Sequence, residues 1–356
     1  MYEFDLSAAQ QELIDLPFPS TTCLTGPAGA GKTTAALAYL SNLVSQGIRQ
    51  ENICIIAPQR NLLDPYLRLI NAREFPAGAP PRLMTFGGLA RRMVSLFWPL
   101  VIEPAGFSGA SKYPTFLTHE TAQYHLAKLA SPLIQNERYF EGAAIHPSRL
   151  YSQIIDNLNK AAIVGYPYQA NAEKLRAAWT GDSTACIIYD QAQHCSQLFR
   201  EYCLQNNLLD FSLQVEVFRD FIWNSELFKK YWYGGNKHLI YDNAEEDAPV
   251  FHDLVLDWMP DLESALFIMD DDGGYRTFLA ADPISADRIK DSCRRVLQFE
   301  NSFVQSPEVS QVTALLSRAI HGEWLDKRTQ DLPSFKVFTH RFIPEMVTAV
   351  CHYCAD

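Results

Sequence analysis

The sequence lacks any apolar run of the roughly 18 to 20 residues needed to cross a bilayer. Its opening stretch, MYEFDLSAAQ, has neither the basic start nor the apolar segment of a secretory signal. Neither an integral membrane protein nor an exported protein is therefore indicated. We expect a cytoplasmic protein without a membrane partner.

Metal-ligand patterns and paired cysteines are missing as well. The eight cysteines are scattered and several lie inside apolar stretches, which predicts reduced core thiols rather than disulfides. Cys351 and Cys354 form one C-x-x-C pair without a second pair of ligands, so we do not expect a zinc site. The nine histidines show no H-x-x-x-H or H-E-x-x-H spacing, and no serine lies in G-x-S-x-G. Hydrolases other than nucleoside triphosphatases are not indicated.

Positive charge is scarce. Thirty Lys and Arg against 41 Asp and Glu give a net charge of −11, so the chain as a whole does not attract phosphate backbones. Any nucleic-acid site must be local. The hydrophobic fraction of 47% is ordinary for globular proteins and excludes wholesale disorder, and 356 residues favour two or three domains.

Six short apolar segments alternate with longer helical stretches, which is typical of a parallel α/β sheet. From about Thr118 to Trp232 the pattern indicates amphipathic helices without strands. We therefore predict an α/β fold with a mostly helical insertion. The predicted strands are Thr21–Thr25, Ile53–Ala57, Leu83–Phe86, His238–Asp242, Ala265–Met269 and Arg295–Phe299.

The sharpest motif follows the first predicted strand. Residues 26–34 read GPAGAGKTT, which fits the phosphate-binding pattern G-x-x-x-x-G-K-[ST], and they open a predicted helix. Small residues let backbone N–H groups wrap phosphates, while the lysine reaches the β- and γ-phosphates and the next hydroxyl ligates Mg²⁺. We therefore predict a P-loop that binds ATP and Mg²⁺. Its predicted contacts are Gly26, Gly29, Ala30, Gly31, Lys32, Thr33 and Thr34.

A P-loop also needs an acid at the end of another strand to help hold Mg²⁺. The predicted strand His238–Asp242 is apolar and ends in aspartate. We therefore predict that Asp242 and Thr33 hold the ion together with the nucleotide. An aspartate at a strand end is more often a simple turn former, so this prediction depends on the P-loop upstream.

The order of several segments resembles the UvrD/Rep-like superfamily 1 helicases. Leu6–Gln10 resembles their Q motif, which implies that Gln10 contacts the adenine; the alternative is an ordinary capped helix start. Residues 55–60, 85–91 and 207–211 are similar to later motifs, although Gly87 stands where the family has histidine. The resemblance implies a RecA-like P-loop domain with a helical insertion.

Three further segments resemble the family's catalytic signatures, but with changes at the functional positions. They are residues 238–249 (V-D-E-x-Q-D-x-x-P), 266–275 (V-x-G-D-D-D-Q-S-I-Y) and 301–309 (N-Y-R-S-x-P-x-I). Asn243 replaces the glutamate that activates water, Gly273 the glutamine that senses the γ-phosphate, and Val304 the arginine finger. Asparagine cannot accept the proton and valine carries no charge, so the resemblance implies weak or no ATP hydrolysis.

Other residues could take the roles of the missing glutamate base and arginine finger. Glu245 or Glu246 could serve as the base, and Arg276 or Arg341 could serve as the finger. Two functions therefore stay open. We favour an ATP-binding, helicase-like protein of DNA repair or recombination that works with other protein subunits. The alternative is an active ATP-dependent translocase or helicase on single-stranded DNA, moving 3′ to 5′ as the resemblance implies.

Contacts with single-stranded DNA also follow from the resemblance. Aromatic rings stack bases and cations follow phosphates in proteins that bind single strands without sequence preference. Phe86 is equally well explained as a core residue, and the negative net charge weakens the case for DNA. The candidate contacts are Gln59, Arg60, Thr85, Phe86 and Tyr275.

The resemblance also divides the chain into domains. A first motor domain comprises residues 1–115 and 207–290, the helical insertion residues 116–206, and the start of a second motor domain residues 291–356. The family's later motifs have no counterpart before Asp356, so we expect a piece of a longer protein. A naturally short relative is the alternative.

Overall fold

The computed structural model describes residues 5–16, 19–73, 75–108, 113–143, 145–183, 186–322 and 339–355. The chain divides into two compact units, and the boundary lies between Asn301 and Ser302. The domain boundary predicted at residue 290 stays a prediction. The strand that follows this position, Arg295–Gln298, lies in the first unit and pairs there with the strand Thr21–Gly26. Within the described ranges, no helix is both long and apolar enough to cross a membrane.

Eight strands are present in the described residues, and six of them form one parallel sheet in the order β3-β2-β6-β7-β1-β8. All six predicted strands are found within two residues of their predicted ends, which confirms the α/β fold. The strands are β1 (Thr21–Gly26), β2 (Ile53–Ile56), β3 (Arg82–Met84), β4 (Thr115–Phe116), β5 (Leu208–Leu209), β6 (His238–Tyr241), β7 (Ser264–Asp270) and β8 (Arg295–Gln298).

Helices account for most of the remaining chain. In the first unit they are α1 (Ala8–Ile14), α2 (Lys32–Ser45), α3 (Asp64–Ile70), α4 (Phe86–Val101), α5 (His119–Glu137), α6 (Pro147–Val164), α7 (Asn171–Ala178), α8 (Cys186–Asn206), α9 (Phe211–Val217), α10 (Glu226–Gly235), α11 (Pro249–Trp258) and α12 (Pro283–Ser292). The second unit contains α13 (Pro307–Ile320) and α14 (Ile343–Ala355).

The sheet separates two hydrophobic cores, because successive side chains of a strand point to opposite faces. Leu24, Ile55 and Ile268 enter the core formed with α1, α2 and α3. Cys23 and Phe267, one residue away on their strands, enter the larger core formed with α4 and the helical region. Strands buried on both faces read as continuous apolar runs, which is why the sequence predicts them well.

The region between β3 and β6 is mostly helical, as predicted. One detail is wrong: the sequence indicates helices throughout residues 118–232, whereas β5 interrupts them and pairs in parallel with β4. Each of these strands has two residues, too few to produce a period-two pattern. β4 directly precedes α5 and β5 directly follows α8, so the pair joins the two ends of the segment that contains α5 to α8.

A buried ionic network fixes the segment that follows α8. Arg200 of α8 is 4% exposed and lies 3.2 Å from both Asp210 and Glu216. Its guanidinium also donates to the Ser212 hydroxyl and lies 5.0 Å from the centre of the Tyr168 ring. Asp210 in turn caps α9 by accepting from the backbone of that helix. The network therefore ties α8 to α9, which leads the chain back toward the sheet.

We predict that Arg200→Ala lowers the free energy of unfolding by about 3–5 kcal/mol, because Asp210 and Glu216 then stay buried without their cation. Urea unfolding followed by tryptophan fluorescence measures the change. Arg176→Ala is the control, since its ion pair with Asp190 is solvent-exposed and is expected to contribute at most about 1 kcal/mol. Equal losses in the two variants would contradict the prediction.

Candidate functional site

The candidate site lies where the strands of the parallel sheet end. Gly26, the last residue of β1, is in register with Asp270, the last residue of β7. Asp242 follows β6, which pairs with the other side of β7. Ligands of open α/β sheets bind outside the carboxyl ends of the strands, so this edge is where a site is expected.

The loop from Gly26 to Gly31 connects β1 to α2 and needs glycine for its backbone geometry. Gly26 has φ of 153°, and a Cβ there would lie 2.6 Å from the carbonyl oxygen of Phe299. Gly31 has φ of 75° and precedes α2 without giving its first turn a side-chain cap. The N–H groups of that turn therefore face the loop without a side-chain acceptor, an arrangement that suits an anion.

Lys32 directly follows this loop and is buried, and its ammonium has three acceptors. The Nζ donates to the carbonyl oxygens of Gly26 and Pro27, each at 2.7 Å. It also lies 2.7 Å from Oδ1 of Asp270. Because an ammonium has three N–H donors, an incoming phosphate must replace at least one of these acceptors.

Thr33 and Asp242 meet although they are 209 residues apart in the chain. The Thr33 hydroxyl donates to Oδ2 of Asp242 at 3.3 Å, and the Tyr66 hydroxyl donates to the same oxygen at 2.8 Å. Burial raises the pKa of Asp242 to about 6, although these two hydrogen bonds oppose the shift. The structure thus brings the two predicted Mg²⁺ ligands together, with Tyr66 orienting the carboxylate.

Glu245 is the second acid at this edge. It lies in a single 3₁₀ turn, Ala244–Glu246, and is 3% exposed. Asn243, with φ of 56°, donates its amide to Oε1 of Glu245 at 3.4 Å. Burial first, and the charge of Asp270 second, raise the pKa of Glu245 to about 8. Among the described residues, Oε2 of Glu245 has no hydrogen-bond partner.

Gly273, which follows β7, makes room for Glu245. A Cβ at position 273 would lie 2.8 Å from Cγ and 2.9 Å from Oε1 of Glu245. Glu246, the other predicted substitute base, faces elsewhere: it accepts from the backbone N–H of Gly274 and lies 3.9 Å from Arg276. Arg276, a predicted substitute finger, is thus paired with Glu246.

Gln10 is buried beside the loop, and both ends of its amide are engaged. Its Nε2 donates to the carbonyl oxygen of Gly31 at 3.1 Å, and its Oε1 accepts from the backbone N–H of Ser7 at 2.9 Å. The Ser7 contact completes a capping box at the start of α1. The structure therefore contains the capped helix start, and the contact with adenine stays a prediction. Of the other loop residues, Ala30 is buried and Thr34 is exposed.

A pocket of about 640 Å³ adjoins this edge of the sheet. Three of the five predicted DNA contacts line it, namely Gln59, Thr85 and Phe86, whereas Arg60 and Tyr275 are not among its lining residues. Residues distant in the chain form the rest of the pocket lining, so the sequence does not bring them together. Glu246 and Arg276, predicted as a substitute base and finger, are among them. Other lining residues, not singled out from the sequence, include Asp156, Asn157, Lys160 and Phe278.

Thr85 and Phe86 have structural roles in this pocket wall. The Thr85 hydroxyl caps α4 by accepting from the backbone N–H of Gly88. Phe86 is 1% exposed and stacks on Phe251 with ring centres 5.0 Å apart, so its ring belongs to the core. A Cβ at Gly87 would lie 3.1 Å from the Phe211 ring, which occupies the space that a larger residue at 87 would need.

Two residues of the site were not predicted. Asp270 is the last residue of β7, much as Asp242 directly follows β6. An acid at the end of a predicted strand is visible in the sequence, so Asp270 could have been found in the same way as Asp242. Tyr66 lies on α3 and has no such signal, because only tertiary packing brings it to Asp242.

No family model matches the chain, and no curated protein matches it in sequence. The resemblance to UvrD/Rep-like helicases therefore stays a prediction.

We predict that Glu245→Gln stabilises the protein at about pH 8 by a few kcal/mol. The carboxyl ordinarily ionises near pH 4.5 and in the folded state near 8, so the folded chain binds more protons between these values. Stability of the wild type therefore falls as the pH rises from about 4.5 to 8, and glutamine escapes this loss.

Guanidinium unfolding of wild type and Glu245→Gln at about pH 5 and about pH 8 measures the difference. The variant's advantage should shrink toward pH 5. Glu141→Gln is the control, because Glu141 is 69% exposed and its replacement should leave the pH dependence unchanged. A Glu245→Gln variant whose advantage is the same at both pH values would contradict the prediction.

Proposed function

We propose that the chain binds ATP with Mg²⁺ at the loop between β1 and α2, as a helicase-like P-loop protein acting with other subunits in DNA repair or recombination. The observation that carries the proposal is the convergence of Lys32, Thr33 and Asp242 at the carboxyl edge of a parallel sheet. The sequence motif predicts that these residues meet, although Thr33 at the start of α2 and Asp242 after β6 are 209 residues apart in the chain.

The chemistry of the donor set suits Mg²⁺. Thr33 and Asp242 present a hydroxyl and a carboxylate oxygen, the hard ligands that Mg²⁺ prefers. In the proposed complex these two residues hold the ion together with phosphate oxygens and water. The ion would offset phosphate charge at an edge that already carries Asp242, Glu245 and Asp270. Lys32 would exchange a loop carbonyl or Asp270 for phosphate oxygens.

We further propose that hydrolysis by this site is slow. Asn243 presents an amide, which cannot accept a proton from water, and Gly273 has no side chain to contact a phosphate. Val304, where the resemblance places an arginine finger, carries no charge. The alternative of an active translocase is favoured by one observation, the acid Glu245 beside Asn243, and is considered below.

Lys32→Ala is expected to weaken the binding of Mg²⁺·ATP roughly 10- to 100-fold, because a charge-assisted hydrogen bond contributes about 1.5–3 kcal/mol. Titration with a fluorescent ATP analogue, with and without excess chelator, measures the affinity. Lys230→Ala, which removes an exposed lysine of α10, is the matched control. Binding that neither Lys32→Ala nor the chelator reduces would overturn the proposed nucleotide site.

We propose that single-stranded DNA binds at the 640 Å³ pocket. Lys160 and Arg276 line it together with three acids, so phosphate neutralisation is limited. Stacking on exposed rings is then the larger contribution, and Phe278, 77% exposed at the pocket, is the main candidate. Binding of this type has a shallow dependence on salt.

Phe278→Ala is expected to weaken the binding of oligo-dT about 5- to 100-fold, because stacking contributes about 1–3 kcal/mol per base. Fluorescence anisotropy with a labelled oligonucleotide at two salt concentrations measures both the affinity and its salt dependence. Tyr124→Ala is the control, since this ring is 67% exposed on α5 outside the pocket lining. Equal affinities of the two variants would argue against DNA at this pocket.

A further inference from the structure

The acids at the carboxyl edge of the sheet differ in how their oxygens are paired. Asp242 accepts from Thr33 and Tyr66, and Asp270 pairs with Lys32. Asp247 accepts from the Tyr241 hydroxyl and from a backbone N–H. Glu245 differs from these three, because its Oε2 has no hydrogen-bond partner among the described residues although the side chain is 97% buried. Oε2 of Glu246 has none either, but that side chain is 18% exposed and lines the neighbouring pocket. A buried unpaired carboxyl oxygen is costly, which indicates a group that pairs with it in the working state.

The surroundings of Glu245 show where that group would lie. The carboxyl is between Asn243, which donates to Oε1, and Gly273, whose missing side chain leaves room for the glutamate stem. Asp270, the partner of Lys32, is close enough for its charge to raise the pKa of Glu245. The unpaired oxygen therefore belongs to the same edge as the loop lysine and Asp242.

Contacts with α11 and α12 fix the turn that carries Glu245. His252 of α11 lies with Nε2 2.8 Å from the carbonyl oxygen of Ala244, and its Nδ1 contacts the Ser285 hydroxyl of α12. Since a carbonyl only accepts, Nε2 of His252 carries a proton and donates it to Ala244. His252 and Ser285 thus fix the turn, and His252 is a positioning residue for Glu245.

We propose that Glu245 is the general base for the slow hydrolysis of the nucleoside triphosphate bound at the β1–α2 loop. The assignment rests on the proposed nucleotide site. Glu246 is the weaker candidate, because its Oε1 accepts from the Gly274 N–H, its Oε2 lies 3.9 Å from Arg276, and the residue lines the neighbouring pocket. Asn243 is a positioning residue, since its amide holds Oε1 and leaves Oε2 free to accept a proton.

In the proposed step a water oxygen attacks the γ-phosphorus and its proton passes to Oε2 of Glu245. The bond between the γ-phosphorus and the bridging oxygen breaks, and the diphosphate leaves with that electron pair. Glu245 then returns the proton to solvent. Burial raises the pKa of this carboxyl, which makes its ionised form a stronger base than an exposed glutamate.

Turnover of radiolabelled ATP by the full chain, compared with Lys32→Ala as background, tests the assignment. Glu245→Gln is expected to lower turnover by on the order of 100-fold, because the amide cannot accept the proton. The same variant should bind Mg²⁺·ATP at least as tightly as the wild type, since a negative charge has been removed. Glu141→Gln, an exposed surface change, should retain wild-type turnover.

A second variant covers the case in which Glu245→Gln does not fold. Gly273→Ala introduces a Cβ 2.8 Å from Cγ of Glu245, which displaces the carboxyl without removing it. It should lower turnover while nucleotide binding persists. Gly234→Ala is its control, because a Cβ at that helical position meets no atom within 4 Å.

The outcomes separate the two proposals. Wild-type turnover equal to the Lys32→Ala background, with nucleotide still bound, overturns the role of Glu245 and leaves the binding site intact. Unchanged turnover in a folded Glu245→Gln or Gly273→Ala variant likewise overturns it. Failure of the wild type to bind Mg²⁺·ATP overturns the proposed nucleotide site itself.

Discussion

Parallel strands must all end at the same edge of their sheet, and the rest of the site depends on this constraint. It brings the end of β1, with its loop, beside the ends of β6 and β7, and with them the acids Asp242, Glu245 and Asp270. Burial, and to a smaller extent the charge of Asp270, raise the pKa of both other carboxyls, and Lys32 pairs with Asp270. An edge with this charge disfavours a bare polyphosphate, so the proposed nucleotide would need a divalent cation to bind there.

The sequence predicted the main sheet because its strands are buried on both faces and therefore appear as unbroken apolar runs. It did not predict β4 and β5, whose two residues each leave no periodic pattern. The contact between Thr33 and Asp242 was predictable because the motif requires a hydroxyl after the lysine and an acid at another strand end. The Tyr66 hydrogen bond was not, since nothing local to α3 indicates that its hydroxyl reaches a strand 176 residues away.

Two glycines explain why the departures from the helicase-like pattern were hard to interpret from sequence. Gly273 and Gly87 stand where the resemblance expects glutamine and histidine, and the sequence alone gives no reason for either difference. In the structure the space beside Gly273 holds Glu245, and the space beside Gly87 holds Phe211. A larger side chain at position 273 would clash with Glu245, whereas one at position 87 would require the Phe211 ring to shift by a few tenths of an ångström. Each glycine is therefore linked to a side chain elsewhere in the chain, a relation that only tertiary structure reveals.

The same short turn contributes an acid to each of the two candidate sites. Residues 244–246 direct Glu245 toward the loop after β1, whereas Glu246 lines the neighbouring pocket beside Arg276. The His252 contact with the Ala244 carbonyl anchors this turn to α11. A ligand that pairs with Glu246 and a nucleotide that reaches Glu245 would therefore contact neighbouring residues of one anchored turn. Because Oε2 of Glu245 is buried, the groups that it can contact depend on the position in which this turn is held.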